Sequence, residues 1–203
     1  MRLILVRHGE TDANREGRVQ GAGNARLNAT GRSQASALGR RLASYDLEAV
    51  YSSPQSRALE TAEAIAQHHG LPVTTLEGLR EMDLGELDGL RGEELRNRYP
   101  DFMKEWDRNI SSLRMPGGES VAELQVRAWA SIESIAERHP QGVVVAVSHN
   151  FAIQSVLCKA LGLALDSFRK IRHDLGAISI LELGEGTPVL VTMNDRCHRD
   201  EGE

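Results

Sequence analysis

An arginine and a histidine stand together at the end of an apolar run, Leu3-Ile4-Leu5-Val6-Arg7-His8, with Gly9 next. The run reads as a buried strand, so Arg7 and His8 fall at its carboxyl end, where open α/β sheets bind ligands. A fixed cation beside an imidazole suits an anionic substrate and a nucleophile. Gly9 allows the tight backbone turn that must follow. Two more positions fit this pattern. Arg57 lies just after Ser53-Pro54, in the first turn of a helical segment, where a guanidinium joins the positive end of a helix and can seat a phosphate. His149 leaves the very apolar run Val143–Val147 as His8 leaves the first one. One such histidine is ordinarily structural, but two at equivalent strand ends point to a shared site. Carboxylates crowd the stretch Leu79–Gly89, which taken locally reads as a charged surface loop.

These residues need elements to hold them. Strand-like runs occur at Arg2–Val6, Ala49–Ser52, Val73–Leu76, Gly142–Ser148, Ile178–Leu183 and Pro188–Met193. Between them, apolar residues recur with helical period. Thr30 is placed to cap a helix reaching about Ser44, and Ser53 with Pro54 to open another that Gly70-Leu71-Pro72 closes. A long helix follows Gly117-Gly118 and ends at His139-Pro140, and a further one runs from near Asn150 to Gly162. Strands alternating with helices predict an α/β fold, a three-layer αβα sandwich around a mostly parallel sheet. Leu181–Val191 reads instead as a hairpin, which makes the sheet mixed, with an antiparallel member at one edge. Arg91–Met115 is more polar, with two short helical stretches around Pro100, and reads as a lid-like insertion. The 203 residues suit a single domain, 1–203.

Composition narrows the setting. The formal net charge of −5 disfavours nucleic acid and anionic membranes as partners. No apolar stretch approaches the roughly 20 residues that span a bilayer, and Met1-Arg2 leads straight into the first strand with no leader pattern. Cys158 and Cys197 make no disulfide framework, so a cytoplasmic setting is expected. Gly21-Ala-Gly23 lacks the third glycine of a dinucleotide loop. Cys197-His198 has no partner pair at metal-ligand spacing, so no metal is expected there. His68-His69 close a helix, and His173 falls in a polar connector that says little by itself.

Taken together, five motifs resemble the histidine phosphatase superfamily, the phosphoglycerate-mutase-like proteins. They are LVRHGETDAN (Leu5–Asn14), SSPQSRALETA (Ser52–Ala62), LREMDLGELDG (Leu79–Gly89), PGGES (Pro116–Ser120) and VSHN (Val147–Asn150). Their order and spacing match across nearly the whole chain. The resemblance implies His8 as nucleophile, Glu81 as general acid and base, and Arg7, Arg57 and His149 around the phosphoryl oxygens. It also implies Asn14, Gln20 and Gly21 as phosphate-pocket contacts. A phosphomonoester dianion repels anionic nucleophiles, so a neutral imidazole nitrogen is a sensible attacker, and transfer would give a phosphohistidine. Glu81 would need a raised pKa to protonate the leaving alkoxide, giving an optimum from mildly acidic to neutral pH. No metal and no other cofactor is expected, because the arginines neutralise the phosphate. The expected partner is a small-molecule phosphomonoester, and the surface is compatible with a homodimer.

The branch is less uniform. Mutases of the family carry an insertion after the acid loop with a basic pair and a proline run, and Arg96–Arg108 lacks one, which favours hydrolysis. Leu84 stands where phosphoserine phosphatases of the family place His and mutases Tyr, and looks like the broad-specificity branch. Against that, Asn194-Asp-Arg-Cys197-His198 resembles the phosphoserine phosphatases' C-terminal NxxCH, and the acid loop is similar to that of α-ribazole phosphatases. Asn150 replaces the usual Gly, either as a substrate contact or, the favoured role, as a cap of the helix it begins. A mutase and a catalytically dead phospholigand binder are the alternatives. A broken site would mark the latter, and Arg7, His8, Arg57, Glu81 and His149 are all present.

Overall fold

The first strand decides the architecture. In the computed structural model, which describes residues 1–198, β1 (Arg2–Arg7) turns Leu3 and Leu5 to one face of the sheet and Ile4 and Val6 to the other. A strand's two-residue period does this, and because all four are apolar both faces must be covered. Five more strands join it: β2 (Leu47–Ser52), β3 (Val73–Thr75), β4 (Val143–Ser148), β5 (Ile178–Glu182) and β6 (Val189–Asp195). Their order is β3-β2-β4-β1-β5-β6. The first four are mutually parallel, β5 runs antiparallel to β1, and β6 antiparallel to β5. The expected three-layer, mostly parallel mixed sheet is thus present. The antiparallel strand, however, lies one in from the edge, because the closing hairpin carries β6 outside it.

The helices are α1 (Asp12–Arg15), α2 (Ala29–Leu42), α3 (Ser56–Ala66), α4 (Gly92–Arg98), α5 (Pro100–Arg108), α6 (Val121–Arg138) and α7 (Asn150–Ala160). Leu38 and Leu42 of α2 pack with Ala58, Ala62 and Ile65 of α3 against Ile4 and Val6. On the other face, Leu124 and Ile132 of α6 and Ile153 and Leu157 of α7 meet Leu3 and Leu5. The helices α4 and α5 fall inside the stretch read as an insertion, around Pro100, and Trp106 joins them to that second core. Among the described residues no helix is long and apolar enough to cross a membrane.

The starts of α2 and α3 differ from expectation, each for a reason near the strand ends. Asn28, not Thr30, caps α2, accepting from the Gly31 amide at 2.8 Å. Its own amide donates to Glu10 at 2.7 Å, and a Cβ on Gly31 would lie 2.0 Å from the Glu10 carbonyl oxygen. The helix therefore begins two residues early, pressed on the turn after His8. Ser53 likewise does not cap α3, which starts at Ser56 with Gln55 at its N-cap position. The Ser53 hydroxyl lies 2.8 Å from Nε2 of His149 instead.

Candidate active site

Strand register brings the two histidines together. Arg7 pairs with Ser148 across β1 and β4, and the His8 amide donates to the Ser148 carbonyl at 3.1 Å. His8 and His149 therefore leave neighbouring strands at one level, with ring centroids 5.1 Å apart. Beside them β2 ends at the same height, since the Ser53 amide donates to the Val147 carbonyl at 2.9 Å. A cavity of about 200 Å3 opens at this edge, lined by Arg7, His8, Asn14, Arg18, Val19, Gln20, Glu81, Leu84, Asn150 and Phe151. A larger cleft of about 410 Å3 lies beyond the Glu81 loop, where Glu77, Asp83 and Glu119 are matched by Arg80 and Arg127, which pair with Glu77 and Glu119; neither histidine lines it.

His8 is buried, with Nδ1 2.7 Å from the Gly9 carbonyl oxygen. A carbonyl can only accept, so Nδ1 carries the proton and Nε2 keeps the lone pair when the ring is neutral. Burial, then the Arg57 and Arg7 charges, hold the His8 pKa well below the ordinary imidazole value, outweighing the Gly9 bond. The ring is thus a neutral base over the physiological range. The same causes, burial first and Arg57 next, keep His149 neutral.

Glu81 carries the opposite perturbation. Burial raises its pKa, against the pull of the Met82 amide, Arg57, the Phe151 amide and Arg7. Its carboxyl group accepts from Met82 at 2.9 Å, Phe151 at 3.2 Å and Ala152 at 3.3 Å. The last two are orphan amides of the first turn of α7, so Glu81 fills the capping role at that end. Asn150, expected to be the cap, is the first residue of α7, with His149 at the N-cap position. Its carbonyl oxygen accepts from Arg7 at 3.2 Å and its amide donates to Gln154 at 3.3 Å. It therefore faces the cavity, because Glu81 already occupies the helix end.

The remaining expected residues divide. Asn14 and Gln20 both line the cavity and both bond Thr11, whose amide donates to Asn14 Oδ1 at 3.1 Å and whose hydroxyl accepts from Gln20 at 2.8 Å. Arg57 is fully buried behind the wall, donating to the carbonyls of Gly23 at 2.7 Å and Gly21 at 3.2 Å. Gly21 does not line the cavity. Its amide donates to Asp88 at 2.8 Å, and a Cβ there would meet the Leu84 amide at 2.8 Å. Glycine is required at this place for close packing of two loops.

Several residues that sequence reasoning passed over hold this arrangement. Gln55 accepts from the Glu81 amide at 2.9 Å and donates to the Gly21 carbonyl at 2.8 Å, tying the Glu81 loop to the Gly21 loop. Arg127 of α6 donates to the carbonyls of Gly78, Arg80 and Glu81, each at 2.9 Å. His173 is buried, not a bland connector residue, and its carbonyl accepts from Arg7 at 2.6 Å. Gly176 in the same loop donates to the Arg7 and His8 carbonyls at 3.2 and 3.1 Å. Asn194, the one non-glycine residue with positive φ (54°) among those described, secures that loop. It accepts from the Asp174 amide at 2.7 Å and donates to the Asp174 carboxylate at 3.0 Å.

A sheet of this order, with two neutral histidines, a buried arginine, a half-buried one and a raised-pKa carboxyl at its carboxyl edge, is the constitution of a phosphate-handling enzyme. The chain belongs to the histidine phosphatase superfamily (branch 1), whose family model matches residues 3–196, and this membership fits a phosphomonoester hydrolase. Among curated proteins it is 33% identical over 201 residues to "Phosphoserine phosphatase 1" of Hydrogenobacter thermophilus, covering 99% of this chain and 95% of that one. It is 35% identical over 186 residues to "Probable phosphoglycerate mutase GpmB" of Salmonella choleraesuis, covering 91% and 86%. Among solved structures, "Bacillus stearothermophilus YhfR" superposes with a TM-score of 0.89 at 32% identity, covering 97% of this chain and 98% of that one.

Proposed function

We propose that this chain hydrolyses phosphomonoesters of small metabolites through a phosphohistidine on His8. Nε2 of His8 attacks phosphorus in line, and the bond from phosphorus to the ester oxygen breaks. Glu81, protonated at that moment, gives its proton to the departing alkoxide. Arg7, which lines the cavity, bears on the equatorial oxygens, where charge concentrates in the transition state, and Arg57 and His149, buried just outside the lining, support them from behind its wall. Asn14, Gln20 and Asn150 add neutral contacts, and Gly21 serves by seating the Gln20 loop. The Glu81 carboxylate then takes a proton from water as the water oxygen attacks the phosphoryl group. The P–N bond breaks, releasing phosphate and restoring neutral His8.

The observation that carries this reading is the pairing of opposite perturbations in one cavity. His8 is kept neutral with its proton fixed on Nδ1, while burial favours a proton on Glu81. Environments that push two titratable groups apart in this way mark a nucleophile and an acid. Arg96–Arg108 provides no basic pair with a proline run, which supports water rather than a second substrate hydroxyl as final acceptor. The test is phosphate release from a panel of phosphomonoesters in EDTA, with native chain and His8→Ala side by side. Turnover in EDTA that His8→Ala abolishes, with an acid-labile phosphoprotein trapped on rapid denaturation, is expected. Full activity in His8→Ala would refute the mechanism, and phosphoryl transfer between hydroxyls without net release would identify a mutase.

A further inference from the structure

Beyond the phosphate cavity lies a second hollow whose chemistry bears on what the phosphate is attached to. It measures about 110 Å3 and shares Val19, Leu84 and Phe151 with the first, so the two adjoin. Its far side is built by Phe102, Met103 and Trp106 of α5. A substrate with its phosphoryl group against Arg7 and His8 must send its leaving group past these shared residues.

The nearby cations are already committed. Arg169, the single charged residue lining the hollow, donates to Asp107 at 2.7 Å and lies 5.4 Å from the Trp106 ring centre. Arg18, at the rim of the phosphate cavity, donates to Glu16 at 2.9 Å and to the Gly89 carbonyl at 3.0 Å, and has Glu94 at 3.9 Å. A carboxylate on the leaving group would therefore enter an apolar hollow whose cations face carboxylates of their own. Burying such a charge unpaired is costly, whereas an apolar end gains from leaving water. At about 110 Å3 the hollow is smaller than the apolar cavity of about 150 Å3 that accepts a whole benzene ring, so it takes the end of a leaving group whose remainder lies among the shared Val19, Leu84 and Phe151.

We infer that the preferred substrates carry an uncharged leaving group with an apolar end, a single ring or a branched alkyl chain, and that the hollow beneath α5 is its subsite. This rests on reading the adjoining cavity as the phosphomonoester site. Phosphates of hydroxy acids and amino acids are then poor substrates, although relatives of this chain carry names for such activities.

The experiment compares kcat/KM for benzyl phosphate, ethyl phosphate, O-phosphoserine and 3-phosphoglycerate, all esters of aliphatic alcohols, so that leaving-group acidity does not set the order. Benzyl phosphate is expected to exceed phosphoserine and 3-phosphoglycerate by at least about tenfold, the scale a shaped apolar pocket provides. Met103→Lys, at a half-buried position of α5, is expected to cut the benzyl-to-phosphoserine ratio by about tenfold or more. The native panel decides the matter even if that variant folds poorly. Phosphoserine or 3-phosphoglycerate turned over as well as benzyl phosphate overturns the subsite and leaves phosphomonoester hydrolysis standing. No His8-dependent release from any of the four overturns both.

Discussion

Replacing His173 with Leu should flatten the acid side of this protein's stability curve. His173 is 2% exposed, and neither ring nitrogen has a hydrogen-bond partner among the described residues. Burial, with Arg7 adding to it against Asp174, pulls its pKa down to about 3. An unfolded chain restores the imidazole to about 6.5. Above that value the ring is neutral in both states and gives no pH dependence. Between about 6.5 and about 3 the unfolded chain binds a proton that the folded chain refuses, so stability falls as pH falls. At about pH 5 the unfolded ring is protonated roughly thirty to one, which lowers the folding free energy by about 2 kcal/mol from this side chain alone. Urea unfolding of native and His173→Leu chains at about pH 7.5 and about pH 5 measures it, with equal m-values confirming that the same transition is compared. Any packing penalty of the substitution enters at both pH values and cancels. The loss on acidification should be smaller in the variant by about 2 kcal/mol, the remainder coming from His8 and His149, whose depressed pKa values act with the same sign. An acid loss unchanged in the variant would refute the reasoning.

Glu81→Gln should lower kcat by about 10²- to 10⁴-fold, as loss of a general acid does, yet raise stability. A folded pKa above the unfolded value costs stability as pH rises through that interval, so the gain in Tm over native should be larger at neutral pH than near pH 4. Ser53→Ala removes the hydroxyl that holds His149 Nε2; a fall of about tenfold in kcat/KM with Tm within a few degrees is expected, about the worth of one hydrogen bond. Asn194→Gly keeps the left-handed backbone and loses both bonds to Asp174, costing about 2 kcal/mol. Asn194→Ala loses the same bonds and adds backbone strain, so its urea midpoint should fall below that of the glycine variant. Both should bind vanadate more weakly than native, because the loop they release supports Arg7.

Arg7 and His8 were legible because a strand end is a place as well as a pattern. The unbroken apolar run Leu3 to Val6 marks a strand buried on both faces, and a turn must follow its carboxyl end. His149 was legible by the same argument. Arg57 was readable as a residue of the first helical turn, although Ser53, which looked like its cap, is spent on His149. Glu81 had no local mark among its neighbouring carboxylates, and only the resemblance of its loop singled it out. What distinguishes it physically is contact with α7, some 70 residues further along the chain. Gln55 and Arg127 escaped for the same reason: each is an ordinary polar residue near a helix surface until a loop folds against it. His173 acts on Arg7 through its backbone carbonyl, a group that every residue possesses, so no side-chain pattern could announce it. Branch identity was least legible, since it depends on how α5 lies over the cavity.

The position of β1 also governs when this molecule becomes whole during its synthesis. β1 precedes every other strand in the sequence, but it is an interior strand whose neighbours begin at residues 143 and 178. Until β4 exists, Leu3 to Val6 have no ladder to join, and until β6 exists, Asn194 does not hold the loop that steadies Arg7. Pairings this distant in sequence make folding slow. The last strand completes the site, because Asn194 near its end ties down the loop whose His173 carbonyl holds Arg7.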